Sequence, residues 1–179
     1  MEKTEVRKQI RELKRAVPMD EKLRRSETIM HQVEKLPEFR EAHVVLLYWS
    51  MADEVQTHDF VNRWYHDKVL LLPCVNGDDL LLRQYTGPEC MVTGEQFGIG
   101  EPDASLPVFT DLNSVEMIIV PGVAFDRTGN RMGRGRGFYD RLLKSTPQAL
   151  KVGVAYDFQI LDEIPVEPHD VKMNRIISE

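Results

Sequence analysis

The chain has 179 residues, of which 42% are hydrophobic and 29% are charged, and its formal net charge at pH 7 is −6. This length and ordinary globular composition predict one domain over residues 1–179, with a sizeable core and a monomer as the simplest state. The acidic balance argues against a nucleic-acid binder, and the short apolar runs and charged N-terminus argue against a membrane span or a signal peptide, so we expect a cytoplasmic protein.

Two helices are predicted at the start of the chain. Apolar residues recur at helical spacing on one face of the first helix: Val6, Ile10, Leu13 and Val17. Pro18 ends that helix, and Asp20 is the expected N-cap of a second helix that continues to about Leu36. The residues of the second helix that we expect to face the core are Leu23, Ile29 and Val33.

A β-α-β pattern follows these helices. Residues 43–49 form a continuous apolar run, short enough for a buried strand, and residues 58–66 predict a helix that leads to a strand at residues 69–73. Asn76-Gly77-Asp78-Asp79 is a turn sequence, so residues 80–84 are expected to pair antiparallel with the preceding strand. This rhythm is typical of a mostly parallel sheet covered by helices.

The next segment, residues 85–113, carries most of the prolines and glycines and predicts loops with little regular structure. Strand signals return at residues 115–125, 152–155 and 175–177. Cys74 and Cys90 lie sixteen positions apart without a CxxC motif or a Cys/His cluster. We therefore expect two reduced thiols and neither a zinc site nor a disulfide.

The most informative segment is the loop DRTGNRMGRGRG at residues 126–137, which follows a strand signal and precedes a helix expected to begin near Phe138. Glycines expected at positive φ alternate with arginines: Gly129, Gly133, Gly135 and Gly137 with Arg131, Arg134 and Arg136. Consecutive backbone N–H groups can converge on anionic oxygens, guanidinium groups match phosphate oxygens in pairs, and the helix start adds its positive dipole end. The pattern predicts a polyphosphate site.

A carboxylate, Asp140, follows this loop within one helical turn. It would repel a phosphate unless a divalent cation lay between them, and Mg²⁺ commonly binds through one or two carboxylates together with substrate phosphates. The loop fits neither the Walker A nor the Rossmann pattern, and a flexible, solvated hairpin is the alternative interpretation. Five arginines between Arg127 and Arg141, in a chain of net negative charge, favour the phosphate site.

A second loop, SMADEVQT, also follows a predicted strand, so the two loops could share one crevice at the carboxyl ends of the sheet. Trp49 and Glu54 bracket its first half; on their own they are equally a core tryptophan and a charge at a helix start. Lys3 and Arg7 lie one helical turn apart, and spacing alone favours a solvated basic helix. Taken alone, Asp170 is a surface acid.

The segment PGVAFDRTGNRMGRGRGFYDRLL resembles the signature of the 5-formyltetrahydrofolate cyclo-ligase family, whose members are also called methenyltetrahydrofolate synthetases. Further similar motifs occur in the same order: a basic N-terminal helix, YWSMADEVQT, LLPCV, FGIGEP and PHDVKMNRII. The resemblance implies a three-layer α/β/α fold with a mostly parallel central sheet, similar to the sugar-phosphate isomerase and CoA-transferase group.

The resemblance also implies roles for individual residues. The implied ATP-binding residues are Lys3, Arg7, Arg131, Gly133, Arg134, Gly135, Arg136, Gly137, Phe138 and Tyr139. Among them, Arg134, Arg136 and Tyr139 are the implied catalytic residues, although the sequence leaves open whether Tyr139 stacks on a ligand ring or packs under the loop. Trp49 would form an apolar wall for the folate pterin, and Glu54 would accept hydrogen bonds from its ring N–H groups. Asp140 and Asp170 would bind Mg²⁺.

The expected reaction is the ATP-dependent cyclisation of 5-formyltetrahydrofolate to 5,10-methenyltetrahydrofolate, with release of ADP and phosphate through a phosphorylated formyl (iminium phosphate) intermediate. The phosphate loop leaves other functions open: a phosphosugar isomerase or transferase, or a non-catalytic nucleotide-binding module. An RNA-binding protein would need aromatic stacking residues near the loop and a steep salt dependence, and the acidic balance argues against it.

Overall fold

The structure is a computed structural model that describes residues 1–94 and 98–179. Phe97, the first residue of the FGIGEP motif, lies outside these ranges. The helices are α1 (Lys3–Arg15), α2 (Met19–Glu34), α3 (Pro37–Glu41), α4 (His58–Trp64) and α5 (Phe138–Ser145). The strands are β1 (Val44–Leu46), β2 (Val69–Asn76), β3 (Asp79–Gln84), β4 (Met91–Thr93), β5 (Gly100–Pro102), β6 (Met117–Val120), β7 (Ala124–Asp126), β8 (Arg131–Met132), β9 (Leu150–Val154), β10 (Ile160–Leu161) and β11 (Arg175–Ile177).

Six of these strands form the central sheet in the order β11-β9-β6-β1-β2-β3. Neighbours in it are parallel, except for β2 and β3, which pair antiparallel from Leu71 opposite Gln84 to Asn76 opposite Asp79. The predicted mostly parallel sheet with an antiparallel hairpin partner is confirmed. A second sheet has the order β10-β7-β8, and β4 pairs with β5.

Helices cover both faces of the central sheet. In β6, Met117 and Ile119 pack into a core with α2, α3 and α4, whereas Ile118 and Val120 pack into a core with α5. Successive strand residues point to opposite faces, so a strand buried on both sides must be apolar at every position. This burial explains the continuous apolar run of the central strands.

Several expectations for the first two helices are wrong. In α1, Val6 and Ile10 are buried against the sheet β10-β7-β8, but Leu13 is 37% exposed. The N-cap of α2 is Pro18, with Asp20 in the first turn. Leu23 is 47% exposed because the buried stripe of α2 begins further along the helix.

The expectation of loops throughout residues 85–113 is also wrong in part. Met91 pairs with Pro102 and Thr93 with Gly100, so β4 and β5 form a short antiparallel ladder. Strands of three residues are too short to show an alternating pattern, and the prolines and glycines mask them. The reduced state expected for Cys74 and Cys90 agrees with two buried, unpaired thiols.

Two glycines with positive φ give a matched test of backbone strain. Gly129 has a φ of +96°, and a Cβ there would lie 2.7 Å from the carbonyl oxygen of Met173. We expect Gly129→Ala to lower the free energy of unfolding by more than about 2 kcal/mol, because strain and a backbone clash add. Gly77 has a φ of +63° and open space around it, so Gly77→Ala should cost about 1 kcal/mol. Urea unfolding measures both, and equal losses would contradict the clash.

Candidate functional site

The site lies where the order of the sheet diverges from the order of the chain. Strands β1 and β6 are neighbours, but the chain continues from β1 to β2 on one side and from β6 to β9 on the other. Ligands of open α/β sheets bind in the crevice beyond such a pair of strand ends. The loops that follow β1 and β6 line one cavity of about 750 Å³.

The fourteen residues to which the resemblance assigns a role all line this cavity: Lys3, Arg7, Trp49, Glu54, Arg131, Gly133, Arg134, Gly135, Arg136, Gly137, Phe138, Tyr139, Asp140 and Asp170. The structure therefore brings together residues from the first helix, two strand-end loops and the C-terminal segment. Their roles toward ATP, folate and Mg²⁺ stay predictions.

The glycine-arginine loop, residues 127–137, ends in a left-handed turn that opens α5. Gly135 has a φ of +104°, and Gly137, the N-cap of α5, has a φ of +74°. The expected positive φ of Gly133 is wrong; a Cβ there would instead lie 3.0 Å from a guanidinium nitrogen of Arg131. Helix N-termini leave N–H groups without intrahelical partners, so the end of this loop can bind an anion.

Arg131 lies beneath the loop as a buried cation. Its side chain is only 6% exposed, and its Nη1 lies 3.8 Å from Oδ1 of Asp140. Its Nε donates a 2.7 Å hydrogen bond to the carbonyl oxygen of Pro121, and its guanidinium carbon lies 5.2 Å from the centre of the Tyr139 ring. Burial lowers the pKa of Arg131, while the nearby carboxylates oppose that shift. The Arg131 guanidinium is therefore fixed by contacts with Asp140, Pro121 and Tyr139, and it also lines the cavity.

Tyr139 therefore packs under the loop. Its ring contacts core residues and Arg131, and burial raises the pKa of its hydroxyl far above the ordinary value. The phenol consequently stays protonated at neutral pH.

Helix α1 contacts the loop from the other side. Arg7 Nε donates a 3.1 Å hydrogen bond to the carbonyl oxygen of Gly133, and Lys3 Nζ lies 2.8 Å from Oε1 of Glu167. Both basic side chains face the cavity, as one helical turn of spacing allows. The interpretation of α1 as only a solvated basic helix is wrong for these two residues.

Two carboxylates face the buried arginine from different parts of the chain. The side chain of Asp140 is 27% exposed and that of Asp170 is 12% exposed, and both act electrostatically on Arg131. Asp170 Oδ2 also accepts a 2.8 Å hydrogen bond from the backbone N–H of Glu167. Within residues 1–94 and 98–179, no three His, Cys, Asp or Glu side chains group closely enough to hold a metal alone.

The opposite side of the cavity is aromatic. Trp49 is half-buried and stacks on His58 with ring centres 3.8 Å apart, and on Tyr85 at 5.7 Å. A Cβ at Gly100 would lie 2.7 Å from the Trp49 ring, so β5 fits closely against it. Trp49 is thus both a packed side chain and part of the cavity wall, and the two interpretations offered by the sequence are compatible.

Glu54 is a partly buried acid in the cavity wall. Its Oε1 accepts a 2.8 Å hydrogen bond from the Met51 N–H, and burial raises its pKa despite that bond and the nearby Arg134. Its carbonyl oxygen accepts hydrogen bonds from the Tyr156 hydroxyl and the Gln56 amide, each 2.9 Å long. A fixed backbone therefore presents this carboxylate to the cavity.

Sequence reasoning missed two charged residues behind the site. Lys14 is buried in α1, and its Nζ lies 3.7 Å from Oδ2 of Asp53. Asp53 also pairs with Arg134, with Nη2 3.2 Å from Oδ1. A lysine on the apolar stripe of α1 was the available signal, because a buried lysine requires an acidic partner.

Comparison with known proteins relates this arrangement to one family. A sequence model of the 5-formyltetrahydrofolate cyclo-ligase family matches residues 1–179. The 5-formyltetrahydrofolate cyclo-ligase of Haemophilus influenzae is 30% identical over 97% of this chain and 95% of its own length. The mouse (Mus musculus) cyclo-ligase is 27% identical over 97% of this chain and 92% of its own.

Two solved structures are similar over nearly the whole fold. The 5,10-methenyltetrahydrofolate synthetase of Aquifex aeolicus superimposes with a TM-score of 0.88 at 36% identity, covering 99% of this chain and 89% of that one. The enzyme of Mycoplasma pneumoniae gives 0.79 at 26% identity, covering 99% of both chains. The expected likeness to sugar-phosphate isomerases and CoA-transferases stays a prediction. The chain, with the cavity between its strand-end loops, belongs to the 5-formyltetrahydrofolate cyclo-ligase family.

Proposed function

We propose that this protein catalyses the ATP- and magnesium-dependent cyclisation of 5-formyltetrahydrofolate to 5,10-methenyltetrahydrofolate, with release of ADP and phosphate. One observation carries the proposal: a single cavity has the cationic glycine-arginine loop on one side and Trp49 with Glu54 on the other. A triphosphate and a pterin can therefore lie within one enclosed space, in a chain that belongs to the cyclo-ligase family.

The chemistry needs activation of the formyl group. Donation from N5 makes its carbon a poor electrophile, so the formyl oxygen must first become part of a leaving group. In our proposal that oxygen attacks the γ-phosphorus of ATP and ADP leaves. N10 then adds to the activated carbon, the carbon–oxygen bond breaks to release phosphate, and N10 loses its proton as the five-membered ring closes.

No protein nucleophile is required by this route, because phosphoryl transfer depends on positioning and on stabilisation of charge. Arg134, Arg136 and Arg7 supply positive charge on the cavity wall, and the loop ends in the N–H groups of α5. On the other side, Glu54 accepts hydrogen bonds from the pterin and Trp49 supplies an apolar surface. These residues bring the formyl oxygen to the terminal phosphate.

The acidic residues fit Mg²⁺ bound together with the triphosphate. Asp140 and Asp170 line the cavity from α5 and the C-terminal segment, and the described residues offer no complete protein cage beside them. Mg²⁺ usually takes one or two carboxylates and completes its octahedron with phosphate oxygens and water. When bound, it would neutralise charge on the phosphates.

The reaction is tested by following the near-ultraviolet absorbance of methenyltetrahydrofolate after purified protein meets 5-formyltetrahydrofolate. We expect the absorbance to rise only when both ATP and Mg²⁺ are present, with one ADP formed per product. It should not rise with a non-hydrolysable ATP analogue or with excess EDTA. Absence of product, with ATP binding still detectable by calorimetry, would overturn the proposal and favour a nucleotide site with another second substrate.

A further inference from the structure

Three charged side chains connect α1, the turn at residues 51–54 and the glycine-arginine loop. Lys14 Nζ lies 3.7 Å from Oδ2 of Asp53, and Arg134 Nη2 lies 3.2 Å from Oδ1 and 3.3 Å from Oδ2 of the same carboxylate. Arg134 lines the cavity, whereas Lys14 and Asp53 are not part of its wall. Asp53 thus contacts Arg134 from outside the cavity wall.

Lys14, the buried member of these three residues, fixes the position of Asp53. The Lys14 side chain is 7% exposed, and burial lowers its pKa while Asp53 opposes that change. Burial also disfavours ionisation of Asp53, but Lys14 and Arg134 outweigh it and hold its pKa below the ordinary value. An ammonium group removed from water needs its counterion, so the Asp53 carboxylate stays ionised and fixed in place.

The turn that carries Asp53 is also rigid. The backbone N–H of Glu54 donates a 3.1 Å hydrogen bond to the carbonyl oxygen of Met51, and the Met51 N–H donates to the Glu54 carboxylate. The Gln56 side chain donates a 2.7 Å hydrogen bond to the same Met51 oxygen. Asp53 is consequently held on both sides, by its backbone and by Lys14.

Arg134 contacts Asp53 through only one of its guanidinium nitrogens. Its Nη2 reaches Asp53, and its Nε and Nη1 donate no hydrogen bond to the residues that the structure describes. A guanidinium group has five N–H donors in a planar fork. Arg134 can therefore keep Asp53 and still donate to phosphate oxygens in the cavity.

We propose that Asp53 is a positioning residue that, anchored by Lys14, holds the Arg134 guanidinium at the phosphate side of the cavity. The inference rests on the proposed function, since it assigns Arg134 to the triphosphate of ATP. It also links the turn carrying Glu54 to the glycine-arginine loop, so that the two substrate sides share one fixed element.

The sign of the effect of Asp53→Asn on ATP binding tests this role. We expect the Kd and KM for Mg-ATP to rise about threefold to fivefold, as for a partly exposed ion pair, while kcat and the folate KM change little. If Asp53 were only an anion near the triphosphate, removing its charge would strengthen ATP binding instead. Asp53→Glu restores the carboxylate and should recover most of the affinity.

Three further variants complete the experiment. Asp162→Asn removes the carboxylate of another arginine pair, 3.9 Å from Arg127 Nε and away from the cavity, and should leave the Mg-ATP Kd unchanged. In an Arg134→Gln background, Asp53→Asn should not raise that Kd any further. Should Asp53→Asn fail to fold, Lys14→Met tests the anchor, with a rise in the Mg-ATP Kd expected.

An unchanged or lower Kd in the folded Asp53 variant, or in Lys14→Met where only that variant folds, would overturn the role of Asp53 while the wild-type reaction still stands. A wild-type protein that does not bind Mg-ATP would overturn the proposed function, and this role with it. Calorimetry of the wild-type protein thus separates the two failures.

Discussion

Replacing Glu54 with glutamine is expected to weaken binding of 5-formyltetrahydrofolate by about a hundredfold, since a charge-assisted hydrogen bond contributes up to about 3 kcal/mol. The carboxylate offers acceptors only, which suits a pterin ring edge that presents N–H donors. The glutamine amide keeps the shape but turns one acceptor into a donor. Calorimetric titration with the folate and the folate KM both measure the loss, and retained wild-type affinity would contradict the role of Glu54.

The pH dependence of folate binding checks the same residue independently. Burial raises the pKa of Glu54, so its carboxylate takes up a proton at a higher pH than an ordinary glutamate does. Folate affinity should therefore be full above that raised pKa and should fall as the pH drops through it. Glu54→Gln should abolish this part of the pH profile, whereas Glu163→Gln, at an exposed position outside the cavity, should leave it unchanged.

Replacing Asp140 with asparagine is expected to lower the magnesium-dependent kcat by at least about a hundredfold, because one of the two carboxylates that we propose as Mg²⁺ ligands would be lost. The Mg²⁺ concentration needed for half-maximal turnover should rise at the same time, and a titration of turnover against Mg²⁺ concentration measures it. Wild-type turnover at ordinary Mg²⁺ concentration would contradict the metal role of Asp140.

The same variant also removes the carboxylate that faces the buried Arg131. Thermal unfolding should show a loss of about 1–3 kcal/mol, as expected when a buried charged group loses a partner. Asp79→Asn is the control. Asp79 in β3 lies 3.8 Å from Arg141, which is on the same helix as Asp140, and neither Asp79 nor Arg141 lines the cavity. Should Asp140→Asn unfold, Asp170→Asn decides the metal role by the same magnesium titration.

The phosphate side of the site could be predicted because its signals are local. Gly135 and Gly137, the arginines Arg134 and Arg136, and the start of a helix all lie within one short segment that follows a strand. The burial of Arg131 beneath that segment could not be predicted, since a loop arginine and a buried one look alike until the neighbouring chain is placed. The positive φ expected at Gly133 is also wrong.

The helices show where periodicity stops being informative. Leu13 and Leu23 lie at helical spacing with buried residues, yet both are exposed. The pairing of Lys14 with Asp53 joins two distant segments, and a single sequence carries no record of such a contact. Hydrophobic periodicity predicts which side chains share one face of a helix, whereas their burial depends on the residues that pack against that face.

The ion pair between Lys3 and Glu167 has a consequence for synthesis on the ribosome. The cavity wall includes side chains from the first helix and from the segment that ends with Asp170, so it is incomplete until Asp170 has been synthesised. A nascent chain lacking that segment is without Asp170, one of the carboxylates that act on Arg131. The ATP binding that we propose, which would stabilise the folded protein by mass action, should therefore act only after the segment that ends with Asp170 has been synthesised.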